Sequence, residues 1–163
     1  MSDKRYKFDC VSCHGMTLNK EMIESVFKRG KSFNEYVSGM SEIYRLLFKV
    51  SYDEYNVDWD SVKCIKQFLN NRVLNVIVLA AEWCPDSRQN VPALAKVAES
   101  IGTVRLSIHE VNKGDELSTK FGLIRIPTII FYDENWNELG RIVESPLTGS
   151  IERDLEKILR ISC

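Results

Sequence analysis

The chain predicts a layered α/β domain preceded by a helical extension, and three observations carry that expectation. Residues 73–81 are almost unbroken apolar sequence, V-L-N-V-I-V-L-A-A, of the length and composition of a strand buried on both faces. The polarity then changes abruptly to E-W-C-P-D-S-R, with Pro85 where the first turn of a helix tolerates a missing N–H. Downstream, the patterns run strand, helix, strand, then two further strands and a closing helix. A β-α-β unit followed by a β-β-α unit makes an α/β sandwich.

Taken in order, the first fifteen residues are polar and carry Cys10-Val11-Ser12-Cys13-His14. C-x-x-C-H is a c-type haem attachment pattern, but no apolar signal core follows the N-terminus and no distal ligand is evident. Zinc needs about four ligands; Cys10 and Cys13 supply two, with His14 and Cys163 as further candidates. A redox pair that exchanges with another cysteine, or a tail whose thiols have no special role, are the other readings. Leu18, Met22, Ile23, Val26 and Phe27 form one helical face, closed by Gly30. Ser32-x-x-Glu35 is a capping box. From it a second helix is expected, with Phe33, Tyr36, Val37, Met40, Ile43, Tyr44 and Leu47 on the side that packs against the sheet. A polar loop follows, and Asp60 is expected to cap a helix over 61–70 with Val62, Ile65, Phe68 and Leu69 inward. Cys64 reads as a half-buried thiol on its flank.

After the central strand, residues 85–100 form a helix with Val91, Leu94, Ala95 and Ala98 on its apolar face and a kink at Pro92. Val104, Leu106 and Ile108 alternate with polar residues as the next, parallel strand, and His109 lies at its end as a surface or strand-end residue. A short helix over 115–121 stops at Gly122. A strand over 128–132, a turn, an antiparallel strand over 138–143 and a helix over 148–161 complete the chain. The expected division is an N-terminal tail and helical extension over 1–56, packed on a domain over 57–163.

Composition narrows the function classes. Hydrophobic residues make up 44% and charged residues 28%, with 22 Lys and Arg against 23 Asp and Glu. That balance gives no electrostatic footprint for nucleic acid or a membrane surface. The longest apolar run is too short for a bilayer, and a cytoplasmic location is expected. Five cysteines at irregular spacing then point to redox or metal chemistry more readily than to a disulfide framework.

Cys84 falls at the start of the helix after the central strand. The first N–H groups of that helix are unpaired and point toward the thiol, and with the helix dipole they favour the thiolate, the reactive species in disulfide exchange. Arg88 adds positive charge one turn on, and Asp86 opposes it.

These residues resemble the thioredoxin family. Ala81-Glu82-Trp83-Cys84 is similar to the run entering its active site. Phe121-Gly122-Leu123-Ile124-Arg125-Ile126-Pro127-Thr128-Ile129-Ile130-Phe131 is similar to the stretch holding its cis-proline loop, here Ile126-Pro127. Pro92 stands where the family has a helix-kinking proline. The resemblance covers residues 57–159, and Tyr36 to Met40 with the aromatic helix after it is similar to a bacterial and archaeal subgroup whose site usually reads Trp-Cys-x-Asp-Cys. It implies a three-layer sandwich with a mixed central sheet, a nucleophilic Cys84, and a substrate groove formed by Trp83, Pro85, Ile126 and Pro127. It implies protein or low-molecular-weight thiol and disulfide substrates and no cofactor or resident metal.

Two departures matter. The family's second active-site cysteine is Ser87, giving CxxS, and the buried aspartate six residues before the first cysteine is Val78. Ser87 cannot attack sulfur, but its hydroxyl is expected to hydrogen-bond the Cys84 thiolate. A monothiol oxidoreductase or isomerase is therefore expected, resolved by an external thiol or by Cys10 or Cys13. A dithiol enzyme with Ser87 introduced by engineering is compatible with the same motif. The rival classes are a redox-inactive scaffold that binds a protein or peptide partner, and metal or iron–sulfur coordination by Cys84 at a subunit interface.

Overall fold

The structure is a computed structural model and describes residues 18–163. Cys10, Cys13 and His14 lie outside the described residues. The N-terminal helices are α1 (Lys20–Arg29), α2 (Phe33–Ser38), α3 (Glu42–Glu54) and α4 (Trp59–Leu69). There follow β1 (Leu74–Ala80), α5 (Pro85–Ile101), β2 (Val104–Glu110), α6 (Glu116–Lys120), β3 (Thr128–Tyr132), β4 (Glu138–Val143) and α7 (Ile151–Leu159).

The four strands form one mixed sheet in the order β2-β1-β3-β4. β1 runs parallel to β2 and antiparallel to β3, and β4 returns antiparallel beside β3. Every residue of β1 is buried, as its almost unbroken apolar run demands. Successive side chains alternate between faces. Val76, Val78 and Ala80 therefore join a core with Tyr36, Phe48, Val62, Ile65, Leu94 and Leu155. Ile77 and Leu79 join the opposite one, with Ile23, Val26, Ile130 and Tyr132. Helices cover both faces, which is the three-layer α/β sandwich with a mixed sheet and an N-terminal helical part.

The structure corrects several local expectations. The helix from Ser32 is two helices. Its capping box is present, but Gly39 ends α2 and Ser41 begins α3. That break re-phases the apolar stripe: Tyr36, Met40 and Phe48 are buried, whereas Ile43 is 60% exposed and Leu47 lies at the surface with it. Asp58, not Asp60, caps α4, accepting the Ser61 N–H at 3.2 Å. Phe68 faces outward, its ring under the Arg72 guanidinium. Ser150 caps α7, two residues later than the pattern suggests.

The largest correction concerns the cysteines. Cys64 and Cys163 form a disulfide with Cα atoms 5.9 Å apart and 99 positions between them in sequence. Cys64 is half-buried as expected, but its sulfur is bonded rather than free, and Cys163 is not a free zinc ligand. Packing of α7 against α4 brings the two together, a juxtaposition that spacing alone does not reveal.

Candidate active site

β1 ends at Ala80, and a tight turn through Ala81, Glu82 and Trp83 delivers Cys84 to the head of α5. The Cys84 N–H donates to Ala81 O at 3.1 Å, and its own carbonyl accepts the Arg88 N–H at 3.0 Å. Cys84 is the N-cap residue, with extended backbone, and Pro85 occupies the first helical position. Cys84 is 7% exposed, and its thiol lies 3.6 Å from the Ile126 carbonyl oxygen, to which it donates. The Ile126–Pro127 peptide bond is cis. Trp83 is 54% exposed and Ile124 86% exposed on the rim of the site.

The loop carrying Ile126 and Pro127 is braced from both ends. Thr128 Oγ1 donates to Arg125 O at 2.6 Å, and Glu144 N donates to Pro127 O at 2.7 Å. Arg125 pairs with the Glu144 carboxylate at 2.9 Å. Asn90, on α5, donates to the Glu144 carbonyl at 2.9 Å. The helix that presents the cysteine thus also holds the opposing loop in place.

Two expected neighbours of the thiol behave differently. Ser87 is fully buried, and its Oγ accepts the Ala81 N–H at 3.3 Å; among the described residues no hydrogen bond joins it to Cys84. The hydroxyl closes the strand–helix turn rather than serving the sulfur. The Arg88 guanidinium lies over the Tyr44 ring, 5.7 Å from its centroid, so its charge is drawn toward α3. Val78, at the position of the family's buried aspartate, sits in an apolar core. Cys84 is the free cysteine among the described residues.

Three residues that the sequence did not single out for the site brace either the turn or the loop facing it. Glu110, the last residue of β2, accepts the Glu82 N–H at 3.2 Å on each carboxylate oxygen. The Tyr36 hydroxyl, from α2, donates to the same carboxylate. Asn90 is the third. Glu110 carried one overlooked signal: it continues the alternation of Val104, Leu106 and Ile108.

No helix of the described residues is long and apolar enough to cross a membrane. The sequence pattern of the thioredoxin family matches residues 30–150. A thioredoxin from Rhodospirillum rubrum is 28% identical over 79 residues, covering 48% of this chain and 76% of the relative. Among solved structures, a Pseudomonas aeruginosa protein of unknown function superimposes with a TM-score of 0.69 at 22% identity, over 84% of this chain and 94% of the other. An HIV epitope scaffold does so with a TM-score of 0.68, at the same identity and coverage. Those two likenesses speak to the fold, and the pattern match speaks to descent. With a free cysteine capping the helix after the central strand and a proline loop facing it, the chain belongs to the thioredoxin family.

Proposed function

We propose that the protein is a thiol–disulfide oxidoreductase or isomerase that works through Cys84 alone. Family membership supports thiol–disulfide chemistry in general; the monothiol mechanism is the reading we add. The observation that carries it is the placement of one free sulfur at the head of α5, against the Ile126 carbonyl.

The Cys84 thiolate attacks one sulfur of a disulfide R–S–S–R′. A Cys84–S–S–R bond forms, the S–S bond of the substrate breaks, and R′S⁻ leaves with the electron pair. A second thiolate then attacks the R sulfur and releases Cys84 as thiolate. That step exchanges the disulfide; full reduction takes a further thiol that attacks the new R–S–S–R″ bond, the two thiols together supplying both electrons, and isomerisation takes a different cysteine thiolate of the same substrate, because R′S⁻ returning to the R sulfur only restores the starting bond. Trp83, Pro85, Ile126 and Pro127 form the groove for an extended partner chain, with the backbone of Ile126 free to pair with it as a short strand. Ser87 contributes by holding the turn. The resolving thiol is a low-molecular-weight thiol, or Cys10 or Cys13 of the N-terminal segment. The Cys64–Cys163 bond weighs against a reducing cytoplasm as the working compartment, unless the host is one of the hyperthermophiles that keep cytosolic disulfides.

The test is incubation with a disulfide-bonded peptide followed by mass spectrometry. A mixed disulfide on Cys84 that a small thiol discharges is the expected result. If Cys84 forms no adduct and Cys84→Ala binds peptide as well as the wild type does, the scaffold reading replaces this one.

A further inference from the structure

The turn that carries Cys84 is not held by its own segment alone. The Glu82 N–H is taken by the Glu110 carboxylate, with both oxygens at 3.2 Å. Glu110 pairs with Ala80, the last residue of β1, across the parallel ladder. Its side chain therefore reaches past the end of β1 to the turn. The residue is exposed, and an exposed glutamate ordinarily samples many rotamers. Here a second contact removes that freedom, because the Tyr36 hydroxyl donates to the same carboxylate. Tyr36 is itself 4% exposed and packs edge-on against Phe48, with centroids 6.0 Å apart. A chain of contacts thus runs from the buried core of α2 and α3, through a phenol and a carboxylate, to the backbone two residues before the nucleophile.

We propose that Glu110, locked by Tyr36, is a positioning residue that seats Cys84 against the Ile126 carbonyl and so selects extended peptide disulfides over small electrophiles. The proposal rests on the reading of Cys84 as the nucleophile. Cys84 as a residue is only 7% exposed, and the hydrogen bond at 3.6 Å marks the seat in which a peptide paired with Ile126 would meet the sulfur. Releasing the Glu82 N–H loosens the turn. A small reagent then reaches the sulfur more easily, while a paired peptide finds it misplaced. The N-terminal helical part contributes to the active site through Tyr36, not merely to the bulk of the fold.

Glu110→Ala and Glu110→Gln test this, because both remove the negative charge and only Gln keeps an oxygen to accept the Glu82 N–H. Two rates are measured on each folded variant: alkylation of Cys84 by iodoacetamide, and mixed-disulfide formation with a disulfide-bonded peptide. Glu110→Ala is expected to speed alkylation and slow peptide exchange, changing their ratio by about tenfold, in line with the cost of misplacing a reacting atom. Glu110→Gln restores most of the wild-type ratio, and Tyr36→Phe shifts it in the direction of Ala by less. A residue that only supports folding would move both rates together. An unchanged ratio in Glu110→Ala, or no rescue by Gln, overturns the proposal. Alkylation needs no substrate, so if the wild type exchanges with no peptide the nucleophile reading falls, and the Ala-against-Gln alkylation rates still decide the role of Glu110.

Discussion

At the scale of single residues, the serine three positions after Cys84 has the sharpest consequence. Ser87 is fully buried and its hydroxyl accepts a backbone N–H. A cysteine there would keep a side chain of similar shape beside Cys84, one helical turn on. Ser87→Cys is expected to pair with Cys84 on mild oxidation and to release bound substrate by internal attack, an outcome read by thiol counting and by the lifetime of the mixed disulfide. The apolar surroundings of Val78 offer no carboxylate to take the second proton, so the gain in turnover will fall short of a site that has one. Cys84 was legible because its place at a helix start depends on immediate neighbours, and Pro127 because the stretch around it resembles the thioredoxin family. The Tyr36–Glu110 contact spans 74 positions, and no local pattern announces a partner that far away.

At the scale of elements, junctions decide more than propensities. α3 has no basic residue in its last turn. Lys96 of α5 supplies one from outside, donating to the carbonyls of Tyr52, Asp53 and Tyr55 at 2.9, 3.1 and 2.8 Å. Those are the orphan acceptors of a helix C-terminus. Lys96→Met keeps the apolar stem and loses the donors, and should cost about 2 kcal/mol in urea unfolding. α1 meets β2 more closely still. A Cβ on Gly30 would stand 1.8 Å from Ser107 Oγ and 2.6 Å from His109 Nε2. Ser107 donates to Phe27 O at 2.7 Å and lies 3.0 Å from that imidazole, and Lys31 bridges Ile108.

Burial, and next the nearby Arg29 charge, hold the His109 imidazole below its ordinary 6.5. The folded state therefore binds fewer protons than the unfolded chain once the pH drops under about 6.5, and stability falls as acid is added until the folded value is passed. Arg29, Glu116 and Lys120 line the small cavity beside it. Comparing urea midpoints at neutral and mildly acidic pH, wild type against His109→Gln, isolates the effect: the acid loss assigned to this site should vanish in the variant.

At the scale of the whole molecule, the Cys64–Cys163 bond closes a loop across 99 positions, tying the end of the chain to α4. In the chain-entropy view a loop of that length is worth about 3–5 kcal/mol through restriction of the unfolded state. Cys64→Ser with Cys163→Ser should lower the unfolding free energy by an amount in that range. Adding dithiothreitol should do the same to the wild type and nothing to the double variant. The Cys84 peptide-exchange rate of the folded double variant should stay unchanged, because Cys64 and Cys163 lie outside the active-site contacts. The proline loop facing Cys84 was legible through the resemblance to the thioredoxin family; from the order of residues alone came the α/β layering, the buried central strand and a cysteine at a helix start. Each of these is written in a run of neighbouring side chains whose periodicity or turn chemistry admits one local structure. Folding in three dimensions settled which cysteines pair, where the aromatic helix breaks and turns its stripe outward, what Ser87 touches, and which distant side chains brace the thiol. Those outcomes depend on distances between segments, and such distances arise only when burial of both faces of the sheet brings the layers together.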